Sequence, residues 1–204
     1  MSELGLPYSQ FHMNTTARSY ILTKSIVFVG MMGSGKTAIG RLVAKKLGVP
    51  FADTDTGIEI SERMSISSLF DAKGENYFRE RESALLMDLL SGPARAISLG
   101  GGGFMQDRNR EFIKQRAKSI WLEVDVDLLW SRVGRKTGRP LLKTMDPYGT
   151  LVALLSERTP IYKMADIRVC AEEGLSKSDM ADKVVAELLT YSETHGLLAR
   201  TGSS

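Results

Sequence analysis

Gly30 to Thr37 read GMMGSGKT, a G-x-x-x-x-G-K-[S/T] spacing with a definite chemical use. Glycines let the main chain curl so that consecutive N–H groups aim at one anion, and a helix starting at Lys36 adds the partial positive charge of its N-terminus. In that arrangement Gly33, Ser34, Gly35, Lys36, Thr37 and Ala38 would cradle the phosphates of ATP. Lys36 would reach the β- and γ-phosphates, and the Thr37 hydroxyl would bind Mg²⁺. Phosphate binding alone does not separate a kinase from a switch or a motor.

A second set of residues supplies an acceptor side. Asp53 and Asp55 in FADTDTG follow a short apolar run, and in an extended chain positions i and i+2 point the same way, so both carboxylates would face one cleft. Like charges so close are costly unless something cationic lies between them. That assigns Asp53 to the Mg²⁺ and Asp55 to an acceptor hydroxyl. Arg79 in YFRERES and Arg158 in SERTPIY can each hold a carboxylate through two parallel hydrogen bonds. Together with the glycine run from Gly100 to Gly103, which lets main chain approach a ligand, they point to a carboxylate-bearing acceptor in place of a neutral sugar.

The elements needed to position these residues are visible in the hydrophobic pattern. Ser25 to Val29 is a continuous apolar and β-branched run, as in a strand covered on both faces. From Lys36 the apolar residues Ile39, Leu42, Val43 and Leu47 recur at helical spacing, and Gly48 supplies a stop. Short strands are expected near Pro50 to Ala52, Ala96 to Leu99, Ser119 to Val124 and Ile167 to Val169. Helices are expected from Ile58, from the serines at 65 and 67, and over Asn76 to Leu90. This alternation predicts an α/β fold of three layers, a central parallel sheet with helices on both faces and ligands at the carboxyl ends of the strands. The Gly- and Pro-punctuated basic stretch RVGRKTGRPLLKTMD, 132–146, reads as a mobile lid.

Composition narrows the class. The 204 residues suit one α/β domain, here 23–190, with 1–22 as a flexible leader and 191–204 as a tail. A net charge of +3 suits anionic small molecules and gives no basic stripe for nucleic acid. The single cysteine, Cys170, excludes an internal disulfide framework and is expected to be a small buried residue in a strand. Without an apolar run long enough for a membrane span, or one at the N-terminus typical of secretion, the expectation is a cytoplasmic monomer with no membrane partner.

Taken in order, GMMGSGKT, DTD, FRERE, LGGGG, GRPLL and ERTPIY resemble the motifs of the shikimate kinase family, a group of P-loop small-molecule kinases, over about Ser25 to Val169. The resemblance implies that ATP, with Mg²⁺, phosphorylates the 3-hydroxyl of shikimate. It further implies that Asp55 contacts that hydroxyl, that Arg79 and Arg158 grip the shikimate carboxylate, and that Gly101 and Gly102 contribute main-chain contact. Arg139 would move in with the lid to meet the ATP phosphates, and Arg132 would stack on adenine. The sequence departs from the family at Gly103, where an alanine is usual. Alternatives are another kinase with the same phosphate loop, acting on gluconate or a nucleoside monophosphate, and a nucleotide-binding module without catalysis.

Overall fold

The computed structural model describes residues 20–134, 140–142 and 144–200. In chain order its elements are β1 (Tyr20–Leu22), β2 (Ser25–Val29), α1 (Lys36–Leu47), β3 (Phe51–Asp53), α2 (Thr54–Glu62), α3 (Ile66–Ser91) and β4 (Ala96–Ser98). They continue with α4 (Asp107–Arg116), β5 (Ala117–Glu123), α5 (Val126–Val133), α6 (Pro147–Tyr162), β6 (Ile167–Cys170), α7 (Lys177–His195) and β7 (Leu198–Arg200). Five strands form one sheet in the order β3-β4-β2-β5-β6, and every neighbouring pair is parallel. Parallel pairs need crossover connections, and the crossover helices cover both faces of the sheet.

The alternation of side chains along β2 divides the core. Ile26 and Phe28 pack with Ile39, Val43, Val184 and Leu188 of α1 and α7. Val27 and Val29 belong to the opposite cluster, with Leu86, Ile113, Leu129 and Tyr162 from α3, α4, α5 and α6. This is the three-layer α/β arrangement expected from the sequence. A third small cluster, Ile58, Leu69 and Phe78, packs α2 on α3. Gly74, with φ 79° and ψ 170°, breaks α3 into two helical pieces, matching the two helices anticipated there.

Two expectations change. Tyr20–Leu22, anticipated as part of a loose leader, pairs antiparallel with Leu198–Arg200 of the anticipated tail, with Leu22 opposite Leu198. The Thr23 N–H donates to the Leu197 carbonyl at 3.0 Å, and the Thr23 hydroxyl donates to that of Gly196 at 2.9 Å. Leu22 and Leu197 are buried in the α1/α7 core, so these two segments are clasped onto the domain. Cys170, in turn, is exposed instead of buried. In β6 the inward positions fall on Ile167 and Val169, which leaves Arg168 and Cys170 facing outward. No helix among the described residues is long and apolar enough to cross a membrane.

If the clasp is packed as described, Leu197→Ala should lower the unfolding free energy by about 2 to 4 kcal/mol. Urea denaturation checks this, and an unchanged midpoint would show that the terminal strands add nothing to the core.

Candidate active site

The phosphate loop leaves the carboxyl end of β2 and runs directly into α1. Gly33 has φ +82°, and a Cβ there would come within 2.5 Å of Val133 Cγ1, so both backbone and space require glycine. The Ser34 N–H donates to the Met31 carbonyl at 3.2 Å, closing the turn, and the Ser34 side chain is buried. Lys36 Nζ donates to the carbonyl oxygens of Gly30 at 2.8 Å and Met31 at 2.9 Å, which holds the ammonium group at the loop. Gly35, Lys36, Thr37 and Ala38 line a cleft of about 870 Å³. Arg132, in the last turn of α5, lines the same cleft and donates to the Gly33 carbonyl at 3.3 Å.

Across this cleft stands Asp53, the last residue of β3. One carboxylate oxygen, Oδ1, accepts from the Thr56 N–H at 3.1 Å and caps α2, while Oδ2 accepts from the Thr37 hydroxyl at 2.7 Å. The Ser98 hydroxyl lies 3.3 Å from Thr37 Oγ1. A hydroxyl and a carboxylate oxygen held together beside a phosphate loop suit Mg²⁺, a hard cation that takes one or two protein oxygens and completes its shell with phosphate and water. The residues present therefore fit the ion expected from the sequence.

Asp55 reaches the site by a different route from the one its spacing suggested. The extended segment stops at Asp53, and Asp55 lies in the first turn of α2, where the helix N-terminus favours a carboxylate. The two aspartates therefore do not share an i, i+2 strand face, although both line the nucleotide cleft. Asp55 also lines a second cavity of about 220 Å³, together with Arg79, Glu82, Gly101, Gly102 and Arg158. It thus stands where the two spaces meet. A Cβ on Gly100 would lie 2.7 Å from Asp55 Oδ1 and would also collide with Glu82, so the bare main chain of the glycine run makes room for these acids.

Two guanidinium groups converge on the second cavity from distant parts of the chain, Arg79 on α3 and Arg158 on α6. Arg158 is 7% exposed, and its Nε and Nη1 have no hydrogen-bond acceptor among the described residues. Arg79 is already engaged. Its Nη1 donates to Glu82 Oε2 at 2.8 Å, and its Nε and Nη2 donate to Glu75 Oε1 at 3.2 and 2.9 Å. Burial works against the Arg79 charge, yet Glu82 and Glu75 together hold its pKa above the ordinary value. Glu82 is fully buried. Burial pushes its carboxyl from the usual 4.5 up to about 7, against the pull of Arg79 and with the help of the nearby Asp55 charge.

The structure thus gathers Lys36, Thr37, Ala38, Asp53 and Arg132 about one cleft and Arg79, Gly102 and Arg158 about another, with Asp55 and Gly101 in both. Arg139 lies outside the described residues, as do 135–138 and 143 of the expected lid, while Leu141 lines the acceptor cavity. Sequence reasoning missed Glu75, Glu82, Ser98 and Tyr162. Glu75 and Glu82, four residues before and three after Arg79, and Tyr162, four after Arg158, carried a local signal at helical spacing, whereas Ser98 carried none. It also missed the wall of the nucleotide cleft formed by Ala171, Leu175 and Met180.

A parallel α/β sheet with this phosphate loop, an oxygen pair beside it and a second anion-seeking cavity defines a P-loop nucleotide-dependent phosphotransferase of the small-molecule type. Residues 32–189 match the shikimate kinase family. The chain is 47% identical to a shikimate kinase of Ruegeria pomeroyi over 169 residues, 83% of this chain and 87% of that protein. It is 43% identical to a shikimate kinase of Rhizobium leguminosarum over 173 residues, 85% of this chain and 88% of the other. Among solved structures, a shikimate kinase from Acinetobacter baumannii in complex with shikimate superposes with a TM-score of 0.79 at 38% identity, covering 82% of this chain and 93% of that one. The chain belongs to the shikimate kinase family.

The raised Glu82 pKa has a measurable sign. A carboxyl that holds its proton more tightly when folded favours the folded state below about pH 4.5, and that contribution is lost as pH rises toward about 7. In urea unfolding at several pH values, the stability of the wild type minus that of Glu82→Gln should therefore fall across this window and level off above it. A difference independent of pH would contradict the burial argument.

Proposed function

We propose that this protein is a shikimate kinase, transferring the γ-phosphoryl group of ATP, with Mg²⁺, to the 3-hydroxyl of shikimate to give shikimate 3-phosphate for aromatic amino-acid biosynthesis. The observation that carries the reading is the position of Asp55 at the junction of the cleft holding Lys36 and Thr37 and the cavity holding Arg79 and Arg158. The buried guanidinium of Arg158, with N–H groups lacking an acceptor among the described residues, calls for an anionic ligand and argues against a neutral acceptor.

In this reading the shikimate carboxylate bridges Arg158 and Arg79, with Glu75 yielding its place on the Arg79 fork. This fixes the ring so that its 3-hydroxyl faces Asp55. The Asp55 carboxylate orients the hydroxyl and takes its proton as the oxygen–phosphorus bond forms and the bond to the β-phosphate oxygen breaks, releasing ADP. Lys36 turns from the Gly30 and Met31 carbonyls to the phosphate oxygens, where its charge offsets that of the transferring group. Thr37 and Asp53 would hold Mg²⁺, which when bound neutralises charge on the β- and γ-phosphates. Arg132 lies against adenine, Gly101 and Gly102 present main chain to the acceptor, and Arg139 closes over the phosphates with the lid, excluding water. The reading includes action as a monomer in the cytoplasm, which the single cysteine and mild net charge accommodate.

The purified chain should form shikimate 3-phosphate from ATP, Mg²⁺ and shikimate, and should show little or no turnover with gluconate or nucleoside monophosphates in a coupled assay. Asp55→Asn should lower kcat by about 10²- to 10⁴-fold while KM for ATP stays within a few-fold. Wild-type turnover in that variant would remove Asp55 from the chemistry. Arg158→Ala should raise KM for shikimate about 10- to 100-fold, the cost of losing a charge-assisted hydrogen-bond pair, and leave KM for ATP nearly unchanged. Equal losses for both substrates would reject the carboxylate role.

A further inference from the structure

Tyr162 closes α6 four residues after Arg158 and is completely buried. Its ring stacks against Trp121, with centroids 6.0 Å apart. A phenylalanine would fill the same space, so the hydroxyl needs its own explanation: a buried hydroxyl is costly unless it is hydrogen-bonded. Here it donates to the Gly101 carbonyl at 2.5 Å. The Arg158 guanidinium lies close enough to stabilise the hydroxyl oxygen, but burial dominates and pushes the phenol up to about 12, so it stays a proton donor at every working pH.

The bond falls on the middle of the glycine run. At one end of the run the Gly100 N–H donates to Thr54 Oγ1 at 3.0 Å, and at the other Asn109 Nδ2 donates to the Gly103 carbonyl at 2.8 Å. Between them the Gly103 N–H donates to the Gly100 carbonyl at 2.9 Å and closes a turn around the Gly101–Gly102 peptide; a turn of glycines can flip that central peptide, and the Tyr162 hydroxyl selects one of its orientations. No cis peptide bond occurs among the described residues. In a trans peptide the N–H points opposite to the preceding carbonyl, so with the Gly101 carbonyl turned to Tyr162 the Gly102 N–H is directed away from α6. Gly102 lines the acceptor cavity, and among the described residues its N–H finds no backbone acceptor.

We propose that Tyr162 is a positioning residue for the acceptor, its hydroxyl fixing the Gly101–Gly102 peptide so that the Gly102 N–H donates to bound substrate. The inference rests on the shikimate reading given above. Tyr162→Phe keeps the ring and removes only the hydroxyl. It should raise KM for shikimate about tenfold, the equivalent of one hydrogen bond, with KM for ATP and the melting temperature close to wild type. An unchanged KM for shikimate overturns the proposal, as does a parallel rise in both KM values accompanied by a lower melting temperature, which marks a scaffold role. In the wild-type protein shikimate should slow hydrogen exchange at the Gly102 amide, followed by NMR. An insensitive amide overturns the proposal even if the variant fails to fold. Absence of shikimate turnover by the wild type is a separate outcome, one that removes the functional reading itself.

Discussion

A guanidinium taken out of water must find an anion, and the acceptor side of this protein is built around that constraint. Arg158 and Arg79 come from helices far apart in the chain and share one small cavity. Glu82 and Glu75 neutralise Arg79 from within the protein, whereas Arg158 keeps two N–H groups with no acceptor among the described residues. The balance of charge is therefore incomplete at Arg158. In the proposed function a carboxylate-bearing acceptor would complete it, and the same contact would fix which hydroxyl meets Asp55.

The rest of the fold serves this geometry. The parallel sheet places the phosphate loop, Asp53 and the glycine run at the ends of three adjacent strands, β2, β3 and β4. Thr54, fully buried, bonds to both the Ser98 carbonyl and the Gly100 N–H, which joins the start of α2 to the end of β4. Asp53 does two things with one carboxylate, capping α2 through one oxygen and meeting Thr37 through the other. Nucleotide side and acceptor side are thus tied by short hydrogen bonds and not merely packed together. Phosphoryl transfer depends mainly on alignment and charge, so such rigidity bears directly on rate.

Much of this was legible because its signals are local. The phosphate loop is one contiguous pattern, β2 announces its burial by five apolar or small residues in a row, and the two arginines stand in short polar motifs. What could not be read depends on distant pairing or on the precise end of an element. Tyr20–Leu22 and Leu198–Arg200 carry weak strand signals and become strands by pairing with each other from opposite ends of the chain. The two aspartates were grouped for a reason that fails, because β3 stops at Asp53 and the chain is already helical at Thr54. Asp55 arrives in the cleft through the first turn of a helix. Cys170 was misjudged because exposure in β6 is set by register against β5, which periodicity over four residues does not fix. Glu82 looks from sequence like one more surface charge on a helix, and only the fold shows that it is sealed beneath Arg79.

The central claim concerns charge in a single cavity, and changing the ligand instead of the protein tests it most directly. Isothermal titration of the wild-type chain with shikimate and with its neutral carboxamide isolates the carboxylate while leaving the three ring hydroxyls in place. The account predicts that the carboxamide binds about 100-fold more weakly, roughly 2.7 kcal/mol, with ATP affinity unaffected by the exchange. Equal affinity for the two ligands would mean that Arg79 and Arg158 do not meet a substrate carboxylate.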